Sequence, residues 1–227
     1  MPSLFSFQKL QQFNLIQRQE IWTLTLKGWV LAFLFLITIT LVLFLNLHSF
    51  LAINSPISAD ALVIEGWLPD YAFELALVEF EKGSYQKIIT TGVPLAKGYY
   101  LSEYKDFANL SAATLIEMGL DDTKVIAIPT SKVIRNRTIS TAITLREWLK
   151  NSDSNIKSIN LCSLGPHARR SWISFQKYLS PDVPVGIISI PSQAYNPDRW
   201  WLSSDGFRSC ISESLAYIYT VIFNLFK

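Results

Sequence analysis

The chain has 227 residues, of which 50% are hydrophobic and only 17% charged. Soluble domains carry about 25% charged residues, so one segment is expected in lipid and the remainder suffices for one domain of ordinary size; a multi-domain assembly, a disordered chain and a collagen-like chain are excluded. Two cysteines and two histidines exclude a disulfide scaffold, a four-cysteine zinc site and a His-rich metal centre, so no metal is expected.

The net charge of +2 is unevenly placed. Lys9, Arg18 and Lys27 against Glu20 give residues 1–28 the whole excess, and the rest of the chain, with 17 basic and 17 acidic residues, is neutral. The main domain therefore lacks a basic field for nucleic acid, and no nucleic-acid partner is expected.

No Asp, Glu, Lys or Arg occurs from Gly28 to Ala59, and Trp29 to Leu47 reads WVLAFLFLITITLVLFLNL. At 1.5 Å per residue this run spans about 28 Å, close to the thickness of the hydrocarbon core. A buried core helix would not be apolar on every side. A cleaved signal peptide is the rival reading, but its apolar core is shorter and ends in small residues, whereas Ile57 precedes a cut near Ala59 by three positions. The run reads as an uncleaved anchor, with the lipid bilayer as partner through residues 29–50. Arg18 and Lys27 precede it, and the first basic residue beyond it is Lys82. The positive-inside rule then predicts a single-pass protein of the plasma (inner) membrane. Its N-terminus would be cytoplasmic and its main domain outside, periplasmic in a Gram-negative cell. Trp29 and His48 would sit at the two interfaces. The expected organisation is an arm at 1–28, the membrane helix at 29–50, a polar linker at 51–59 and an α/β domain at 60–227.

Beyond Pro56, short β-branched runs alternate with helical patterns. The predicted strands are Ala61–Gly66, Lys87–Gly92, Lys124–Pro129, Ser158–Gly165 and Val183–Ile190, most of them continuous apolar runs suited to burial on both faces. Helices are predicted over Asp70–Lys82, Phe107–Met118, Thr138–Leu149 and Ala168–Leu179, where apolar residues recur at spacings of three and four. This alternation specifies a doubly wound parallel α/β sandwich of about five strands. Ser212–Phe226 reads as a closing helix on the sheet, with a helix lying on a membrane surface as the alternative.

In such sheets ligands bind beyond the carboxyl ends of the strands. Six of the domain's basic residues, Lys97, Arg135, Arg137, Arg169, Arg170 and Arg199, fall in loops at that edge. Guanidinium groups and helix N-termini together suit phosphate or carboxylate, although each arginine taken singly is equally suited to a solvated surface. Thr138 is expected to cap the helix after RNR, and the Gly165-Pro166-His167 turn opens the next. Ser163 ends the fourth strand, and Gly92 ends the second. His167, beside two arginines, is expected to be neutral and able to act as base or hydrogen-bond donor. Glu65 is the best-placed carboxylate, to orient His167 or activate water, or else to pair with an arginine. The dinucleotide fingerprint GxGxxG, the P-loop and the GxSxG elbow are all missing, so no cofactor is indicated. Cys162 and Cys210 read as small buried hydrophobes, with an envelope disulfide as the alternative. Trp200 and Trp201 either stack on a ligand or pack under the closing helix.

DALVIEGWLPD at the first strand, TTG after the second, RNRTISTA after the third and LCSLGPHARRS at the fourth resemble the YdcF-like family, the SanA/ElyC-like envelope proteins, over residues 60 to about 220. The resemblance implies a Rossmann-like fold, a single-pass anchor and a role in the cell envelope, and it carries Gly92, Thr138, His167 and Arg170 over as pocket residues. The expected ligand is a phosphorylated or otherwise anionic envelope precursor, a nucleotide-like molecule or a lipid-linked saccharide. Whether such a protein is an enzyme, a binding or regulatory module or a structural part of an envelope complex stays open at this point.

Overall fold

The computed structural model describes residues 22–225. The first 21 residues, with Lys9, Arg18 and Glu20 of the expected arm, lie outside the described residues. The described residues fall into two compact units, one ending at Leu45 and the other beginning at Asn46.

The first unit contains helix α1, Leu26–Leu45, in which no residue is buried. Its twenty residues span about 30 Å. By length and composition α1 is able to cross a membrane. It ends before the expected position 50. Leu47–Leu51 forms a separate short helix, α2, in the second unit, where His48 and Leu51 are buried. His48 is thus part of the α/β unit, its Nε2 lying 3.3 Å from the Tyr195 hydroxyl, and is not an exposed anchor.

The second unit is a five-stranded parallel sheet, β1 Ala61–Glu65, β2 Lys87–Gly92, β3 Val125–Pro129, β4 Ile159–Leu164 and β5 Val185–Ile190, in the order β3-β2-β1-β4-β5. Around it lie α3 Asp70–Lys82, α4 Phe107–Glu117, α5 Arg137–Asn151, α6 Ala168–Leu179 and α7 Ser204–Leu225. The Rossmann-like α/β architecture is the one the alternation specifies. The central strands are mainly apolar because both faces are covered. Val63, Ile89, Leu161 and Ile187 meet Leu145 of α5 and Phe175 and Leu179 of α6. On the other face Leu62, Ile64 and Ile88 meet Phe73, Ala76 and Phe80 of α3 and Leu115 of α4. Each fully buried Leu, Ile or Phe contributes about 1.5–3 kcal/mol.

Two segments differ from expectation. α7 begins eight residues before Ser212. Ser203 is its cap, its Oγ accepting from the backbone N–H of Asp205 and Gly206, and that polar start hid the helix from apolar periodicity. The segment expected as a polar linker is strapped to the sheet. Ser55 pairs with Ile187 on edge strand β5 through two backbone bonds of 2.8 and 3.1 Å. Asn160, fully buried in β4, accepts from Ile57 N–H and donates to Ile57 C=O and the Tyr85 hydroxyl. Gly186 makes room for this clasp, since a Cβ there would collide with Asn160 Oδ1. Asn160→Ala should cost about 2–3 kcal/mol, because it removes three partly buried hydrogen bonds at about 1 kcal/mol each, and should speed protease cleavage between residues 52 and 60. Unchanged melting and unchanged protection would show that the clasp does not hold the strap.

Candidate functional site

Strand order reverses between β1 and β4, so their carboxyl ends diverge into the crevice where doubly wound sheets bind ligands. Glu65 closes β1 on one side. On the other, β4 is followed by Gly165, whose φ of +45° favours glycine. One short turn, Gly165–His167, then starts α6. His167, Arg170, Ser171 and Ser174 recur at three and four residues and share the face turned to the crevice.

These groups form one network. Glu65 is buried and accepts hydrogen bonds from the Ser163 hydroxyl and, at 2.9 Å, from the Ser171 hydroxyl. His167 Nε2 lies 3.6 Å from Glu65 Oε1, and His167 Nδ1 lies 3.0 Å from Oε1 of Glu213 on α7. Arg170 donates to both Glu213 oxygens, at 2.8 and 3.2 Å, and at 3.4 Å to the Thr138 hydroxyl. The Trp67 ring meets the His167 ring edge-on at 4.9 Å. Both carboxylates lie at the positive end of α6, where its dipole favours them.

The expectation of a neutral His167 is overturned. Burial alone would lower its pKa, but Glu65 and the hydrogen bond to Glu213 outweigh burial and the Arg170 charge and raise it to about 9. For Glu213 burial pushes upward, and the hydrogen bonds from His167 and Arg170 bring it down to about 2. Glu65 likewise overcomes its burial through the His167 charge and its hydrogen bonds, and falls below the ordinary carboxylate range. At neutral pH the core of the site is therefore two carboxylates matched by an imidazolium and a guanidinium. Arg169, the second expected neighbour, is absent from it. Consecutive helical residues point about 100° apart, and Arg169 instead stacks 3.9 Å above the Phe50 ring and donates to the Phe50 carbonyl.

A cavity of about 750 Å³ opens over this network. Glu65, Gly92, Arg135, Arg137, Thr138, His167 and Arg170 line it. Lys97 and Arg199 do not; both are exposed outside it, Lys97 on a loop and Arg199 in the short 3-10 helix Pro197–Leu202. Ser163 acts beneath the wall through Glu65. The gathering of six basic residues is thus a gathering of three. Gly92 is explained by packing, since a Cβ would fall 2.5 Å from Phe107 Cβ at the start of α4. Thr138 is not the cap of α5. The helix starts at Arg137 after Asn136, which takes the left-handed conformation (φ +56°) that asparagine tolerates and makes no side-chain cap bond. The first turn of α5, Arg137–Ile139, is thus without a side-chain cap and lines the cavity beside Arg135. Neither arginine side chain has a hydrogen-bond or ion-pair partner among the described residues.

Sequence reasoning missed Glu213 and Ser171. Glu213 had a signal: it is the one charged residue in SESLAYIYTVIFNLF, and an isolated carboxylate in an apolar helix needs a partner. Ser171 had none beyond its spacing from His167. Cys162 and Cys210 are free, buried thiols, and burial raises Cys210 to about 12. Trp200 is fully buried and stacks on Phe207 of α7, which settles it as packing. Among the described residues no group of three or more His, Cys, Asp or Glu is placed to hold a metal. Compared with known proteins, the chain matches no protein-family model and no curated protein.

Proposed function

We propose that the protein is a membrane-anchored, YdcF-like protein of the cell envelope that binds a phosphorylated or otherwise anionic ligand at the edge of its sheet. One observation carries the reading: Arg135 and Arg137 stand unpaired at the mouth of the cavity, beside the uncapped N-terminus of α5, while every charge deeper in the network is matched. An anion there gains two guanidinium forks and backbone N–H donors without competing with a fixed carboxylate. α1 and the basic residues ahead of it support an anchor in the plasma membrane with the α/β unit outside the cytoplasm. The motifs around Glu65, Gly92, Thr138 and His167 support the family.

The state of the carboxylates favours binding over turnover. Glu65 is engaged by Ser163, Ser171 and His167, so it positions His167 and is not free to activate water. A second reading, proton transfer to the ligand, is favoured by His167 Nε2, which is buried and makes no hydrogen bond. As an imidazolium it takes the donor role, one of the two the sequence suggested, and not that of base.

Calorimetric titration of the full chain in lipid nanodiscs against inorganic phosphate, a nucleoside diphosphate and a sugar phosphate tests the proposal. The double variant Arg135→Ala/Arg137→Ala should weaken the best-binding probe about 10- to 100-fold, as expected for two charge-assisted contacts. Equal affinity in variant and wild type, or no binding of any probe, would refute it.

A further inference from the structure

We infer that the ligand is an amphiphile, a phosphate group on a long apolar chain, with its head at Arg135 and Arg137 and its tail laid along one face of α7. This rests on the anion-binding reading above and names the ligand class.

α7 presents Leu215, Ile218, Tyr219 and Ile222 at i, i+3, i+4 and i+7, a single stripe whose members are 49–65% exposed. From Ser214 to Leu225 the helix carries no charged residue. A water-facing helix surface ordinarily carries charges, and contiguous exposed apolar surface marks a binding face. The stripe is continuous with the cavity. Tyr219 belongs to both, lining the cavity together with Glu213, Ala216 and Thr220 of the same helix. Across the mouth, Ile134 is 94% exposed, lines the same cavity and directly precedes Arg135. The two unpaired cations thus share one cavity lining with apolar side chains of both segments. A small hydrophilic anion would satisfy the arginines and leave Ile134 and the α7 stripe in water; a phosphate carrying a long chain satisfies both. Two unpaired guanidiniums also match a phosphate monoester, which approaches two negative charges at neutral pH.

The test compares n-butyl phosphate with n-dodecyl phosphate, which share a head group, on the full chain in lipid nanodiscs. Wild type should bind the dodecyl ester at least tenfold more tightly. Ile218→Gln/Ile222→Gln, two exposed positions changed to a good helix former, should shrink that ratio at least fivefold while leaving n-butyl phosphate affinity unchanged. Partition of the long ester into the disc lipid is common to both proteins and cancels in the comparison. Should the double variant melt below wild type, Ile222→Gln alone serves, with an expected twofold or greater loss. A ratio that does not move, including one from a stripe that only rests against lipid, overturns the inference and leaves the anion reading standing. Failure of both esters to bind overturns the two together.

Discussion

Glu65→Ala should lower the stability of the α/β unit by about 3–5 kcal/mol, because removing one partner of a buried ion pair strands the other. For a unit of this size that corresponds to a drop in melting temperature of roughly 6–20 °C. Two hydroxyls, Ser163 and Ser171, lose their acceptor, and the His167 imidazolium loses an ion-pair partner at 3.6 Å. Glu65→Gln keeps the shape and one carbonyl acceptor but removes the charge, so its cost should lie between wild type and alanine. Either change also removes the largest influence raising the His167 pKa. With two histidines in the chain, a side-chain NMR titration resolves the effect, and His167 should then titrate at or below its ordinary value near 6.5. If Glu65→Ala melted like wild type, or His167 still held its proton at pH 8, the carboxylate would not be the keystone of the network.

The second large effect is a stability optimum on the acid side of neutrality. Folded His167 keeps its proton to about pH 9, whereas an unfolded histidine releases it near 6.5. The stabilisation is complete below pH 6.5 and is lost as pH rises through 9. Its full size is roughly 3 kcal/mol at the 1.36 kcal/mol carried by each pH unit. The carboxylates act in the opposite sense. Glu213 titrates near 2 when folded and at its ordinary value of 4.5 when unfolded, so its contribution is present above pH 4.5 and is lost as pH falls toward 2. Stability should therefore form a plateau between about pH 4.5 and 6.5 and decline on both sides. His167→Gln should flatten the alkaline limb between 6.5 and 9, and Glu213→Gln should flatten the acid limb and shorten the alkaline one, since both limbs draw on one contact. Thermal melts across pH 3–9 check this. Were wild type and His167→Gln to decline in parallel above pH 6.5, the protonated histidine would not be the source.

Much of this fold could be read before it was seen, because a doubly wound sheet writes itself as apolar runs separated by amphipathic ones. Val63 and Leu62 belong to opposite faces, yet both are buried, so β1 reads as an unbroken apolar run ending at Glu65. Glu65 and His167 were legible for a topological reason: strand ends in a parallel sheet converge, whatever the helices between them do. What stayed hidden depends on contacts without a local signature. Nothing in the sequence around Arg169 and Arg170 says which of the two turns toward the crevice, since that is settled by the start of α6 to within one residue. Glu213 lies on an element with no strand end, so a search confined to the loops could not reach it. Ser55 reads as part of a polar linker, and only the presence of edge strand β5 makes it a pairing residue.

The network at the crevice also bears on how the chain folds. Its members lie far apart in sequence: Ser163 is 98 residues from Glu65, Ser171 is 106, and Glu213 is 43 from Arg170 and 46 from His167. Closing such loops costs entropy before any contact is gained, so the cluster belongs to late stages, after β1 and β4 have paired. A partly folded chain with α7 undocked would leave His167 with one of its two carboxylates and Arg170 with none, and it would gain nothing by burying them. The cluster thus discourages half-formed states, and docking of α7 becomes part of the same cooperative transition that assembles the sheet.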